Sequence, residues 1–236
     1  MTADHPDFLR SPDKACIPDP RNEGLVNFAD PSSGPITIND QYVDVAALEL
    51  HSGVPEEIRV QFETTKNLYL YCWFVYRFYP VAHHHAFTTL ELSLRERFEK
   101  EIVVTGEEKR EHGPGLKRLL SYAIENSYLK NEGFRAWRHA TEMRARHRMV
   151  YEKIEEMERL GLKEVSYDED AIEIKDIDRD HDMLRPLIEN YPNLRNRYAH
   201  GSKMLHNHVL GTLIIVSEII NQIFTDSHEK DITRET

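Results

Sequence analysis

Residues 82–102 read AHHHAFTTLELSLRERFEKEI, and this stretch decides the fold class. Phe87, Leu90, Leu94 and Phe98 recur at spacings of three and four, and Ile102 extends the stripe. A chain that turns about 100° per residue lines those side chains up on one face, whereas a strand would alternate. The same period continues on both sides of this segment. Upstream, a helix is expected from about Pro55 to Tyr79. Ser52 or Gly53 can cap it, Pro55 suits its first turn, and Glu56 and Glu57 suit its positive end. Its apolar positions are Ile58, Phe62, Leu68, Cys72, Val75 and Tyr79, and Pro80 is expected to stop it. Downstream, Gly106 and the glycines around Pro114 break the pattern. Further helices are expected over about 116–126, 134–160, 182–189 with a restart after Pro192, and 204–224. In the charged 134–160 helix, Met143, Val150, Ile154 and Met157 form a sparse apolar seam, and Gly161 ends it. Val209, Leu213, Val216, Ile220 and Ile223 give the last helix its core phase. Long helical patterns with few strand signals predict an all-α chain folded as a helix bundle.

The ends read differently. Residues 1–52 carry six prolines and form an irregular N-terminal segment, in which 36–38 and 42–50 read equally as strand or helix. Residues 53–224 are the helical domain, with an insertion at about 127–180, and 225–236 are a polar tail. The acidic stretch 163–179 alternates from Ile172 to Lys175, which predicts a small β element near 164–178.

Composition narrows the function classes. The 236 residues are 40% hydrophobic and 30% charged, a globular balance. The start, MTADHPDFLRSPDK, lacks an apolar run behind a basic patch, so no secretory signal is expected. The longest apolar stretch, Val209–Phe224, is broken by Gly211, Thr212, Ser217, Glu218, Asn221 and Gln222, which argues against a membrane span. Cys16 and Cys72 are the only cysteines, too few for a disulfide framework, and a reducing cytoplasm fits. The net charge of −11 disfavours general coating of nucleic acid, so any RNA contact has to be local.

One short segment carries chemistry: Tyr191-Pro-Asn-Leu-Arg-Asn-Arg-Tyr-Ala-His-Gly-Ser202. On a helix opened by Pro192, Asn196 and His200 lie one turn apart on the same face. Arg195 lies about 140° round from His200, within reach of the same space for a long side chain. Gly201 can close the helix and Ser202 can cap the next, which puts the cluster at an interhelical corner. RNA brings its own nucleophile, the 2′-hydroxyl. Its cleavage needs a proton acceptor near neutral pH, which an imidazole provides. It also needs positive charge on the phosphorane oxygens, which a guanidinium fork provides. An amide can hold either group, and the scheme needs no metal and no cofactor.

The pattern Arg195-Asn196-x-x-x-His200, late in an all-helical chain and just before a terminal apolar helix, resembles the signature of HEPN domains (higher eukaryotes and prokaryotes nucleotide-binding). Many of these are metal-independent endoribonucleases of toxin–antitoxin, abortive-infection and CRISPR defence systems. They act as dimers with two motifs facing one cleft. The resemblance implies that Arg195 and His200 are the catalytic pair, with Asn196 in support. It also implies a homodimer, RNA as substrate and an antitoxin or defence-system partner. The segment Thr89-Leu-Glu-Leu-Ser-Leu-Arg-Glu-Arg97 looks like an upstream helix of bacterial members, in which Glu91 and Arg95 would brace the site. Ser202 stands where one subgroup, modified by a nucleotidyltransferase antitoxin, carries Tyr.

Other constellations have plainer readings. His83, His84 and His85 point three ways on a helix and suit its start better than a shared metal ion, and His206 and His208 are also badly spaced for one. Arg135, Arg138, Arg144 and Arg148 are candidates for guiding RNA phosphates, with Trp137 to stack a base; the alternative is a solvated face paired with the acidic 164–182 stretch. The run Tyr69, Tyr71, Trp73, Phe74, Tyr76, Phe78 suits core or dimer contact. The leading expectation is thus an HEPN-type endoribonuclease. The alternative is a non-catalytic helical module that binds RNA or a protein partner.

Overall fold

The computed structural model describes residues 5–26, 32, 34–104, 113–166, 168, 172–200, 203 and 205–225. Among them the chain is an all-α helix bundle. Its helices are α1 (Ile38–Ala46), α2 (Glu56–Tyr71), α3 (Phe78–Val104), α4 (Leu116–Glu125), α5 (Arg135–Leu160), α6 (Leu184–Ala199) and α7 (Leu210–Ile223).

The α3 stripe is the axis of the bundle. Phe87, Leu90, Leu94 and Phe98 are fully buried, and α2, α4, α6 and α7 all pack on this helix. Burial of each such side chain stabilises the fold by about 1.5–3 kcal/mol. From α7, Leu213, Val216, Ile219, Ile220 and Ile223 complete the core. No helix among the described residues is long and apolar enough to cross a membrane.

The N-terminal segment is fastened to the bundle. Thr37 and Asp40 form a reciprocal capping box that starts α1, so of the two ambiguous pieces, 36–38 and 42–50, only Ile38 and 42–46 are helical, and Val45 and Leu48 join the core. Ahead of it, the side chain of Asp19 is fully buried. It accepts hydrogen bonds from Arg21 Nε and Nη2 at 2.8 Å each, from Arg10 Nη2 at 3.2 Å and from the Tyr76 backbone N–H at 3.2 Å. The backbone N–H of Asp19 donates to the carbonyl of Trp73, and Asn22 Nδ2 donates to the carbonyls of Cys72 and Trp73.

Those contacts explain one correction. The helix expected from 55 to 79 ends at Tyr71, because residues 72–77 form a turn whose carbonyls and N–H groups are held by Asp19 and Asn22. Pro80 does not stop a helix; it lies in the first turn of α3, where a missing N–H is harmless. Likewise α6 does not restart at Pro192 but runs through it. An interior proline costs about 3 kcal/mol, and burial of Leu187, Tyr191 and Tyr198 on one face of α6 offsets that. The last helix begins at Leu210 rather than near 204.

The small β element expected near 164–178 is absent among the described residues. Residues 172–175 pair with no strand. Asp176–Arg179 form a 3-10 turn instead, and charge holds this region against α5: Arg148 meets Asp178 at 2.8 Å and Lys175 meets Glu152 at 3.1 Å. Of the polar tail expected over 225–236, all but Thr225 lies outside the described residues.

Candidate active site

α6 shows two faces. Leu187, Tyr191 and Tyr198 are buried, while Asn196, Arg197 and His200 are exposed and Arg195 sits at the border. The buried face meets α3: Phe87 packs edge-on against Tyr191, and His83 lies 4.4 Å, ring to ring, from Tyr198. This packing sets the rotation of α6 and with it the direction of the motif.

Arg195 reaches across to α3. Its Nε and Nη2 both donate to Glu91 Oε2, at 3.1 and 3.0 Å. The other carboxylate oxygen of Glu91 takes Arg95, from Nη2 at 2.9 Å and Nε at 3.3 Å. Arg95 Nη1 continues to Glu99 at 3.3 Å. Nη1 of Arg195 donates to Asn196 Oδ1 at 3.3 Å. The carboxylate of Glu91 is well covered, with 13% of its side chain exposed, whereas the Arg195 side chain keeps 36%. One carboxylate therefore fixes one edge of the guanidinium from below, and the other edge lies beside Asn196 at the surface. A fork held this way offers parallel N–H donors to a phosphate.

His200 ends α6, and its backbone N–H donates to the Asn196 carbonyl at 3.0 Å. It is exposed, and among the described residues no group hydrogen-bonds its imidazole. Gly201 and Ser202, read in the sequence as a helix stop and a cap, lie outside the described residues. Glu91, Arg95, Arg195 and Asn196 are thus one cluster, with His200 one turn beyond.

Beneath the motif is a group that the spacing rules did not bring together. The Tyr198 hydroxyl and His206 Nε2 are 2.8 Å apart, His83 Nε2 and Thr212 Oγ1 are 2.9 Å apart, and His206 meets the His83 ring edge-on. Burial, with His206 alongside, lowers the His83 pKa to about 4. The Nδ1 atoms of His83 and His206 are both buried without a described partner. No cluster of three His, Cys, Asp or Glu able to hold a metal exists among the described residues.

The arginines of α5 lie on another element. Arg148 is bound to Asp178, Glu152 and the Glu173 carbonyl; Arg144 donates to the Asp180 carbonyl, Arg138 to the Glu132 carbonyl, and Arg135 to Glu218. Trp137 is buried, stacked on His181 and bonded to its carbonyl, so it is not presented to a base. Glu99 is the site residue missed in the sequence, although the Glu91–Arg95–Glu99 series at i, i+4 spacing was the available signal. Compared with protein-family models, with curated proteins and with solved structures, the chain matches none.

Proposed function

We propose that the chain is a metal-independent endoribonuclease of HEPN type. His200 takes the proton of a ribose 2′-hydroxyl, and the 2′-oxygen attacks the adjacent phosphorus. Arg195 neutralises the charge that builds on the phosphorane oxygens, and Asn196 positions the phosphate or the imidazole. The P–O5′ bond breaks and the departing 5′-oxygen takes a proton from water, leaving a 2′,3′-cyclic phosphate and a 5′-hydroxyl. In this reading the protein works in the cytoplasm as a homodimer, in a toxin or phage-defence setting, with an antitoxin or defence-system partner. The observation that carries the reading is the Glu91 carboxylate, which holds Arg195 at an exposed corner one turn from an exposed imidazole.

A second reading is a non-catalytic HEPN-like module that binds RNA or a protein partner. It is favoured by one feature of the same cluster: Glu91 occupies both Nε and Nη2 of Arg195 and so offsets part of its charge. The two readings separate in a cleavage assay on labelled RNA in EDTA, beside Arg195→Ala and His200→Ala. Products ending in 2′,3′-cyclic phosphate, lost in both folded variants, establish the nuclease. A rate equal to the variants' background on single strands, structured RNAs and tRNA leaves the binding module.

A further inference from the structure

The run His83-His84-His85 lies in α3, and the fold employs the outer two rings. His83 points inward, with its ring 4.4 Å from that of Tyr198 and its Nε2 2.9 Å from Thr212 Oγ1. His85 points toward α2, with Nδ1 2.8 Å from Thr65 Oγ1. His84 joins neither contact. Its backbone carbonyl accepts from Thr88 Oγ1, but among the described residues no group hydrogen-bonds its ring. The residue is half-buried, and Thr88, one turn on, is exposed.

Helix geometry brings this unemployed imidazole to the candidate site. Seven residues turn an α-helix by about 700°, so His84 lies within about 20° of Glu91 on α3 and about 10 Å before it. Glu91 is the residue that Arg195 reaches. Phe87 meets Tyr191 and His83 meets Tyr198, so numbers fall along α3 as they rise along α6, and the two helices run antiparallel. The turn of α3 that carries His84 is therefore level with the end of α6, where the motif lies. The carboxylate on that face does not repel an anion strongly, because Glu91 is shared by Arg195 and Arg95. An imidazole in either tautomer presents an N–H, and a strand that leaves the Arg195 corner along α3 passes it. A chain of net charge −11 has to grip an anionic strand at discrete points such as this one.

Resting on the nuclease reading, we propose that His84 binds the substrate, its ring N–H donating to a non-bridging oxygen of the phosphate next to the scissile one. Arg195 and His200 act on the phosphate that is cut, and His84 holds its neighbour. The contact fixes the path of the strand and reads no base.

The test compares the native chain with His84→Ala on a labelled RNA of about twelve nucleotides and mixed sequence. His84→Ala is expected to raise KM about tenfold and to leave kcat within about twofold. Its Tm stays at the native value, because the ring supports nothing in the fold. His84→Gln, which keeps an N–H donor, recovers most of the loss, and His139→Ala, exposed on α5, changes neither constant. The 2′-O-methyl form of the same strand lacks the nucleophile and reads binding alone, and its Kd rises by the same factor in His84→Ala. On a dinucleotide, whose one internucleotide phosphate is the scissile one, His84→Ala has no effect. If His84→Ala cleaves and binds like the native chain while Arg195→Ala is inactive, the inference is overturned and the nuclease reading stands. A loss on the dinucleotide equal to that on the long strand refutes the assignment to the neighbouring phosphate. A Kd that depends on His84 in a chain that cleaves nothing keeps the contact while the nuclease reading falls, and a chain that does not bind the 2′-O-methyl strand overturns the contact.

Discussion

Glu91→Ala tests whether the carboxylate under Arg195 is part of the site or only of the fold. Glu91 links α3 to α6 by holding Arg95 on one oxygen and Arg195 on the other. Both arginines are partly exposed, so each pair is screened and contributes about 0.5–1 kcal/mol, which puts the loss of stability at about 1–2 kcal/mol. For a chain of this length, that lowers Tm by about 2–8 °C. The effect on cleavage is expected to be larger. Without Glu91 the guanidinium loses the contact that aims it, and misplacement by about 1 Å at a reacting phosphate costs roughly a hundredfold in rate. The expected result is a protein folded at assay temperature whose kcat falls tenfold to a hundredfold, an order of magnitude less than the loss in Arg195→Ala, because the cation is still present. Glu91→Gln keeps an acceptor and is expected to recover part of the rate. The assay pairs cleavage of labelled RNA at saturating substrate with thermal unfolding of each variant. If Glu91→Ala cleaves at the native rate while Arg195→Ala is inactive, the reasoning that the Glu91 contact aims Arg195 is wrong.

Two further outcomes concern the supports of the fold. Asp19→Ala removes a buried carboxylate from Arg10, Arg21 and the Tyr76 N–H; the expected loss is about 3 kcal/mol, read as a lower Tm together with protease cleavage ahead of α1. Burial pushes the Asp19 carboxyl up, but hydrogen bonds from Arg21 and Tyr76 outweigh it and hold the pKa below the ordinary carboxylate range, so its contribution is present above about pH 4 and is lost as pH falls through the lowered value; acid titration of the Ala variant lacks that limb. His83, buried against Tyr198, Phe87 and His206 with its pKa near 4, must gain a proton on unfolding. Stability is therefore intact above about pH 6.5 and declines by about 3 kcal/mol as pH falls toward 4, and His83→Phe, which keeps the ring stacking, flattens that slope in pH-dependent unfolding.

What was legible in the sequence follows from the range of the interactions that decide each element. The α3 stripe is local: Phe87, Leu90, Leu94 and Phe98 declare a buried helix face without knowledge of what covers it. The end of α2 is not local. Leu68, Cys72, Val75 and Tyr79 keep helical spacing through the break, and the turn there is held by Asp19 and Asn22, some fifty residues away. Pro80 and Pro192 misled for a related reason. A proline reports what its own backbone cannot donate, but it does not report whether it opens a helix, as Pro80 does, or sits in one that tertiary burial holds together, as Pro192 does. The alternation from Ile172 to Lys175 is a strand signal with no second strand to satisfy it, and ion pairs from Arg148 and Lys175 fix the region instead.

The outward placement of the motif was legible in the sequence, because the same six residues face opposite sides of one helix. Arg195, Asn196 and His200 face outward or lie at the border, where the polar pattern of a motif can be read directly. Tyr198, set between them, faces inward to Phe87, His83 and His206. An outward triad on a freely rotating surface helix would have no defined direction. Here the buried tyrosine fixes the rotation of α6, and Glu91 then fixes the one long side chain that rotation alone leaves loose. Neither hold was implied by helical spacing within the motif, because His83 and Phe87, which seat Tyr198, and Glu91, which seats Arg195, all lie on α3, about a hundred residues earlier. The Glu91–Arg95 pair was visible in the sequence as a family likeness and as an i, i+4 spacing on one helix. Its physical role, one carboxylate shared by two arginines from two helices, depends on a helix-to-helix approach that the core stripe of α3 and the buried face of α6 create together.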